Sequence, residues 1–261
     1  AGRSRLFSSS VRSSKSFGRA IFAIPVAGTF ALGTWQARRW QWKKDMIEER
    51  IKGLKDPSIS PPPPNTSPEK WADCHFRRIE VKGKFLNSQT FYVGPRSAPS
   101  LQASGTGLMS ASNPQTGYFM ITPFVPTGSD FDPLLVNRGW IPTSLKKQMQ
   151  EVADSPEQYS IICVPRPGEK QSMFITNDAA KGNWLSMNVA EMARHTGLER
   201  TAPVICDLLE VAGEQAAPYP VKKREEHLVT FHVMPFTHLV YAATWYSLAA
   251  AAAVGTYIRF R

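Results

Sequence analysis

Two apolar segments stand at the ends of this chain, Ala20 to Trp35 and Phe236 to Ile258, and a long polar-to-mixed stretch separates them. Nothing between them approaches the roughly 18 apolar residues that suggest a membrane span. The pattern predicts a membrane hairpin: out through the first segment, a folded domain beyond it, and back through the second. Both termini then lie on one face of a bilayer, which excludes a free soluble enzyme. From His238 to Tyr257 the chain runs twenty residues without Lys, Arg, Asp or Glu. At about 1.5 Å per residue that length covers a hydrocarbon core of roughly 30 Å. Tyr241, Trp245 and Tyr246 lie in its first half, Tyr257 and Phe260 at its far end, and Arg259 and Arg261 close it. Water–lipid boundaries favour rings and basic stops at such positions. The first segment is shorter, sixteen residues interrupted by Pro25, Gly28 and Gly33. Arg19 can snorkel at one end and Trp35 can anchor the other, so a tilted or thinned passage is feasible. The same stretch also fits a buried core helix or a signal-type apolar run.

Charge is distributed as unevenly as hydropathy. The chain carries +10 overall, but residues 1–44 hold nine Lys or Arg and no acid, which leaves 22 basic and 21 acidic residues in 45–261. A nucleic-acid groove needs its excess on the folded part, so no nucleic-acid partner is expected. The Arg- and Ser-rich, acid-free opening AGRSRLFSSSVRSSKSFGRA has the composition of a mitochondrial transit peptide or its remnant. A basic tail lying on anionic lipid reads the same way.

Cys74, Cys163 and Cys206 lie far apart, without a C-x-x-C or a histidine at zinc-finger spacing. That argues against a zinc site or redox dithiol and leaves one buried pair plus a leftover open. Asn65-Thr66-Ser67 matches a glycosylation acceptor, a sequon common by chance.

Five stretches organise the chain: a basic tail (1–19), a first membrane helix (20–37), an amphipathic helix with a Pro-rich linker (38–70), a β-rich soluble domain (71–230) and a second membrane helix (236–258). Trp40, Ile47, Ile51 and Leu54 share one helical face, while Lys43, Lys44, Glu48, Glu49 and Lys52 are charged. The run PSISPPPPNTSP then reads as a stiff spacer that holds the domain off the helix rather than packing into a core. In the domain, Ile79 and Val81 alternate with charged residues, and Phe91–Val93, Tyr118–Thr122, Leu134–Val136, Tyr159–Val164, Met173–Ile175 and Val204–Leu209 are further strand candidates. Residues 98–116 read as a loop. Asn188 is placed to cap a helix with Glu191 at the capping-box position, and Gly197 ends it. The expected fold class is α+β: two terminal transmembrane helices flanking an antiparallel, barrel-like β-rich domain.

The chain shows no G-x-S-x-G elbow, P-loop, H-E-x-x-H or G-x-G-x-x-G opening a helix. Its scattered carboxylates favour no pair by spacing, so a non-enzymatic role is expected. His238 is the histidine that lies inside an apolar segment. An intramembrane ionisable residue points to function, and neutral imidazole is a common haem-iron ligand. Tyr241 and Trp245, three and seven residues on, share its helical face and could wall a flat macrocycle. A hydrated histidine at the bilayer boundary, with Tyr241 and Trp245 as belt aromatics, gives the same spacing.

Seven blocks, taken in order, resemble the surfeit-locus protein one (Surf/Shy) family. Gly33-Thr34-Trp35-Gln36 with Arg39, Trp42 and Lys43 resembles its G-T-W-Q-x-x-R-x-x-W-K signature, and Phe76 to Gly83 resembles Y-R-x-V-x-x-x-G. Gly94-Pro95-Arg96, Gly117-Tyr118 to Pro123-Phe124, and Leu135 to Pro142 (L-V-N-R-G-W-I-P) follow. Asn183-Trp184 with Met192-Ala193 matches a block in which Asn188 replaces the usual acid, and His238-Leu239 with Tyr241, Thr244 and Trp245 resembles H-L-x-Y-x-x-T-W. Arg166-Pro167-Gly168-Glu169, with its extra proline, and Glu225 to Pro235, with His227 and His232, depart from the family pattern.

The resemblance implies an assembly factor for cytochrome c oxidase in the mitochondrial inner membrane. Its central domain would lie in the intermembrane space and both termini in the matrix. It would act when haem a enters the largest oxidase subunit, beside other assembly factors or subunits. The histidine associated with haem binding in bacterial relatives falls on His238. Arg38, Arg39, Lys43 and Lys44 beyond the first span make the positive-inside signal mixed, so the family pattern and the transit-like start decide the orientation. The alternative is a structural accessory subunit retained in the mature oxidase or a supercomplex. Asn137-Arg138-Gly139-Trp140 is expected to close a strand, with Arg138 also able to meet a haem propionate or partner carboxylate. Trp35 and Arg39 anchor the first span or face the partner subunit.

Overall fold

Ile79, Val81, Gly83 and Phe85 turn one way while Glu80, Lys82 and Lys84 turn the other, and burial follows that alternation residue by residue. This period of two builds the first strand, β1 (Ile79–Phe85). The computed structural model describes residues 4–261 except 100–114, 129, 170–174, 199, 216 and 232, with side chains from residue 21 onward. Most of the 98–116 loop, Met173 and Phe174 of the Met173–Ile175 strand candidate, and His232 therefore lie outside the described residues. The chain divides into two units, Ala1–Glu49 with Thr230–Arg261, and Arg50–Val229.

The Arg50–Val229 unit is a barrel-like sheet. After β1 come β2 (Phe91–Ser97), β3 (Thr116–Pro126), β4 (Leu134–Pro142), β5 (Tyr159–Arg166) and β6 (Ile205–Val211). Their order is β1-β5-β6-β4-β3-β2, and an additional β1–β3 pairing closes the sheet on itself. Strand β3 makes closure feasible by dividing one edge. Its first half, Thr116 to Ile121, pairs with β2, while Phe124 to Pro126 pairs with Phe85 to Gly83 of β1. Gly83 sits where backbones meet: a Cβ there would lie 2.2 Å from the Val125 carbonyl oxygen.

Closure gives each strand an inside and an outside. Inside are Ile79, Val81 and Phe85 of β1, Leu134 and Val136 of β4, Ile161 and Cys163 of β5, and Cys206 and Leu208 of β6. Outside, Leu135 and Ile205 pack with Phe91, Val93, Ile121, Trp184, Met187 and Met192. The second layer includes the short helix α4 (Val189–His195), reached after α1 (Ser4–Lys55), α2 (Pro68–Ala72) and α3 (Lys146–Gln150). Eight of the nine β4 residues are buried because both of its faces are covered. Asn188 accepts the Glu191 amide as an N-cap should, but the Glu191 carboxylate takes a hydrogen bond from Asn177 instead of returning to the cap.

Three expectations need correction. The sheet is not wholly antiparallel: β4 and β6 run parallel, since the chain leaves the β4 side, forms β5, and crosses back through α4. The Pro-rich run is no detached spacer. Ile59 takes the Arg78 carbonyl and gives its own to Glu80, covering the part of the β1 edge that β3 does not reach, and Pro61 is buried. Proline cannot donate to a ladder, so this non-proline residue makes the pairing. Asn137-Arg138-Gly139-Trp140 lies within β4 rather than ending it, at a register shift opposite Met120 and Ile121. Gly139 holds φ +132° there, with the Trp140 amide donating to Val221.

A charged cluster ties the parallel pair to the end of β5 and to the Lys223 segment. Asp207 is fully buried, and its carboxylate accepts from Arg166 Nε at 2.7 Å, Lys223 Nζ at 2.9 Å and Asn137 Nδ2 at 2.7 Å. Burial pushes the Asp207 carboxyl up, but Arg166 and Lys223 outweigh it and hold it below the usual carboxylate range. Burial lowers the Lys223 ammonium, with Asp207 opposing and Arg166 adding to the shift.

Two predictions follow from closure and charge. Gly83→Ala should cost about 1–3 kcal/mol by overpacking, read as a thermal midpoint roughly 5 °C lower; an unchanged midpoint would remove Gly83 from the closure argument. Asp207→Ala should cost about 3–5 kcal/mol at neutral pH, because Arg166 and Lys223 lose their buried counter-charge. A depressed folded pKa stabilises above the unfolded value of about 3.9 and loses that contribution as pH falls through the folded one. Denaturant midpoints should therefore fall in acid for the wild type, with a flatter acid limb for Asp207→Asn; identical limbs would count against it.

Candidate functional site

The other unit is built on a seam of two helices. One is the part of α1 up to Glu49; the other is α6 (Pro235–Phe260), which follows the short α5 (Glu225–Val229) of the barrel unit. Helix α1 is continuous through Pro25, where Thr29 Oγ1 donates to the Pro25 carbonyl at 2.7 Å. Among the described residues, α6 is the helix long and apolar enough to cross a membrane.

Burial along α6 falls on His238, Ala242 and Ala249, with Trp245, Ala252 and Thr256 half-buried between and beyond them. On α1 it falls on Gly33 and Lys43, with Val26, Thr29, Gln36 and Trp40 half-buried. Both sets repeat at alternating spacings of three and four, the period of helices that stay in contact along their length. Phe22 meets Phe260 edge-on at 5.6 Å, Phe30 meets Tyr246 at 5.4 Å, and Lys43 Nζ donates to the Val233 carbonyl, so the two helices run antiparallel. Gly33 lets them approach: a Cβ there would sit 2.9 Å from the Tyr246 ring, whose hydroxyl donates to Thr34 Oγ1 at 3.2 Å.

His238 lies in this seam, 9% exposed. Its Nδ1 is 2.7 Å from Gln36 Oε1. An amide oxygen accepts only, so Nδ1 carries a proton, and in the neutral ring Nε2 then keeps its lone pair. Nε2 is itself buried, and no hydrogen-bond donor reaches it among the described residues. Arg39 and Lys43 lie close enough to act on the imidazole electrostatically. An imidazole held by one nitrogen, with the other free to donate electrons, is the arrangement metal-ligating histidines use. Haem iron fits this donor, and the orphaned Nε2 is the observation on which the fit rests.

The proposed site residues divide. His238 and Trp245 come together on the seam, whereas Tyr241 is 50% exposed and turns away. Trp35 is exposed, as is Arg39, whose guanidinium lies 4.1 Å over the Trp42 ring. Arg138 belongs to the barrel unit, where it donates to Asn87 Oδ1 at 3.0 Å and lies 4.6 Å over the Phe85 ring. Sequence reasoning missed Gln36 as a site residue. The seam spacing 26, 29, 33, 36, 40, 43 would have placed it on the buried face.

Gln36→Leu should release His238 Nδ1 and let the ring exchange tautomers. In ¹⁵N-histidine spectra of the purified chain, the wild type should show Nδ1 protonated and the variant a mixture; a wild type already mixed would break the assignment.

Comparison with known proteins matches the SURF1 family model over residues 23–250, which takes in both helices of the seam and the barrel. The chain is 31% identical to Surfeit locus protein 1 of Arabidopsis thaliana over 91% of its own length and 76% of that protein. It is 31% identical to the SURF1-like protein of Drosophila melanogaster, covering 88% and 73%, and 30% identical to Surfeit locus protein 1 of Homo sapiens, also covering 88% and 73%. The chain belongs to the SURF1 family.

Proposed function

We propose that this chain is an assembly factor for mitochondrial cytochrome c oxidase, anchored in the inner membrane by its two terminal helices, and that it assists the entry of haem a into the largest oxidase subunit. The observation that carries the haem part is the orphaned, buried Nε2 of His238, oriented through Nδ1 by Gln36. Family membership supports the assembly part. In this reading α1 and α6 cross the bilayer as a hairpin, the barrel unit lies in the intermembrane space, and both termini are in the matrix.

Haem would supply here an iron that takes a strong-field nitrogen ligand. His238 would supply that nitrogen as the neutral Nδ1–H tautomer. Gln36 fixes the ring, so little rotamer freedom remains to be lost on ligation. Trp245 offers a flat apolar wall on the same face, and Arg39 and Lys43 provide the cations that acidic substituents would meet. The chain itself makes and breaks no covalent bond in this scheme, and its partners are the largest oxidase subunit, other assembly factors or subunits, and lipid.

The test joins two measurements. His238→Ala should abolish a haem absorbance band that copurifies with the wild type, while the protein stays resistant to alkaline carbonate. A wild type that never carries haem would take the ligand role from His238, leaving assembly to partner contacts. Purified mature oxidase should lack the chain; equimolar retention would make it an accessory subunit instead.

A further inference from the structure

Strand β4 sends Leu134 and Val136 into the barrel interior, and the next residue in that alternation is Arg138. A guanidinium thus stands where the neighbouring inward positions are aliphatic. It sits at one end of the barrel, above the Phe85 ring at 4.6 Å, in a cavity of about 320 Å³. The mouths of β-barrels are a common place for small-molecule sites.

The cavity is furnished asymmetrically. Phe85 and Tyr159, 5.8 Å apart between ring centroids, give it apolar walls. Among the described residues, the hydrogen-bond acceptor that reaches Arg138 is the neutral Asn87 amide oxygen, and Asn87 is itself held by donating Nδ2 to the Ala153 carbonyl. Arginine presents five N–H donors, so most of this fork has no protein acceptor. The contrast within the barrel unit is direct: Arg166 is paired with Asp207 at 2.7 Å and Arg96 with Glu169 at 2.6 Å. Two carboxylates do border the mouth, but each is engaged. Glu157 accepts from the Tyr159 hydroxyl at 2.7 Å, and Glu214 pairs with Lys222. Burial lowers the Arg138 guanidinium, with Glu214, Tyr159 and Tyr92 opposing, so the cation is partly desolvated where it stands.

We infer that the barrel mouth binds a small monocarboxylate, with the Arg138 fork receiving the carboxylate and Phe85 and Tyr159 enclosing an apolar body. A carboxylate is the acceptor whose two oxygens match a guanidinium fork, and such pairs are among the stronger hydrogen bonds. The volume is about ten times the roughly 30 Å³ share of a liquid water, which limits the ligand to roughly ten heavy atoms. Glu157 and Glu214 at the border repel a second negative charge, so one carboxylate is favoured over two. Stacking on Phe85 holds the guanidinium plane in place before the ligand arrives, which lowers the ordering cost of binding.

The experiment titrates the purified 261-residue chain with benzoate, with its neutral isostere benzamide, and with phthalate, following binding by calorimetry and by NMR shifts of the Arg138 side chain. Benzoate should saturate a single site, with benzamide and phthalate each weaker by about tenfold or more. Arg138→Gln should weaken benzoate by a similar factor, while Arg138→Lys, which keeps charge but loses the fork, should fall between. The wild-type comparison of benzoate with benzamide decides the matter even if the variants fold poorly. Equal affinity for the two, or no saturation by benzoate at about 10 mM, overturns the proposal. Binding of an acidic peptide in place of benzoate likewise overturns it, and makes the mouth a protein-docking surface.

Discussion

Three residue pairs hold the central unit in its form: Gly83, Lys84 and Phe85 against Pro126, Val125 and Phe124. Without them the six strands would form an open sheet, with β1 and β2 as exposed edges. With them, β3 is shared between two partners and the strands acquire a lumen. An open edge is a liability that proteins cover or close. Here closure and cover work together, since Ile59 occupies the stretch of β1 that β3 leaves bare. The lumen then dictates side-chain chemistry. Apolar residues fill it, and the outward residues of β4 and β6 must either join the outer core or be paired. Asn137 and Asp207, directly opposite each other in the parallel register, are the polar members of that outer face. Asp207 accepts from Asn137, from Arg166 at the end of β5 and from Lys223, which draws the Lys223 segment onto the barrel.

The helical unit depends on a different constraint, which is close approach. Gly33 under the Tyr246 ring and alanines at 242 and 249 let two helices pack with little intervening side chain. In such a seam a polar group has few partners, and a histidine placed there is defined by whichever one it has. Gln36 is that partner for His238. A carboxylate in its place would favour imidazolium and so consume the free nitrogen. A neutral amide fixes the ring without drawing a second proton onto Nε2. The choice of glutamine therefore carries as much chemical information as the histidine.

Alternation made β1 legible, because a half-buried strand writes its face into the sequence with period two. Ile79–Lys82 was readable for that reason, Leu134–Val136 and Tyr159–Val164 from their β-branched and aromatic content between Gly, Pro and Asn, and Asn188 and Glu191 marked α4 through the cap. What escaped were the long-range facts. Neither the β1–β3 closure nor the parallel β4–β6 pair has a local signature, since each joins segments far apart in the chain. The Pro-rich run misled because proline composition reports the absence of amide donors, and a single isoleucine beside it made the contact. Arg138 was read as part of a strand end, and its inward direction emerged only once the barrel was closed. Gln36 lay within a recognised block but was unremarkable until burial gave the helix a face.

The family blocks themselves have a physical meaning that separates scaffold from chemistry. Several contain a glycine where another chain segment leaves no room for a Cβ. Gly33 lies against Tyr246, Gly83 against the Val125 carbonyl, and Gly117 against the Ile141 carbonyl at 2.0 Å. Those positions are fixed by closure and helix contact, so they specify the fold. Gln36 and His238 are different in kind. They meet each other across the seam at 2.7 Å, and an apolar pair in their place would avoid burying an unpartnered nitrogen. The unpartnered Nε2 is therefore a cost that the seam carries on account of its histidine, offset in part by Gln36 at the other ring nitrogen.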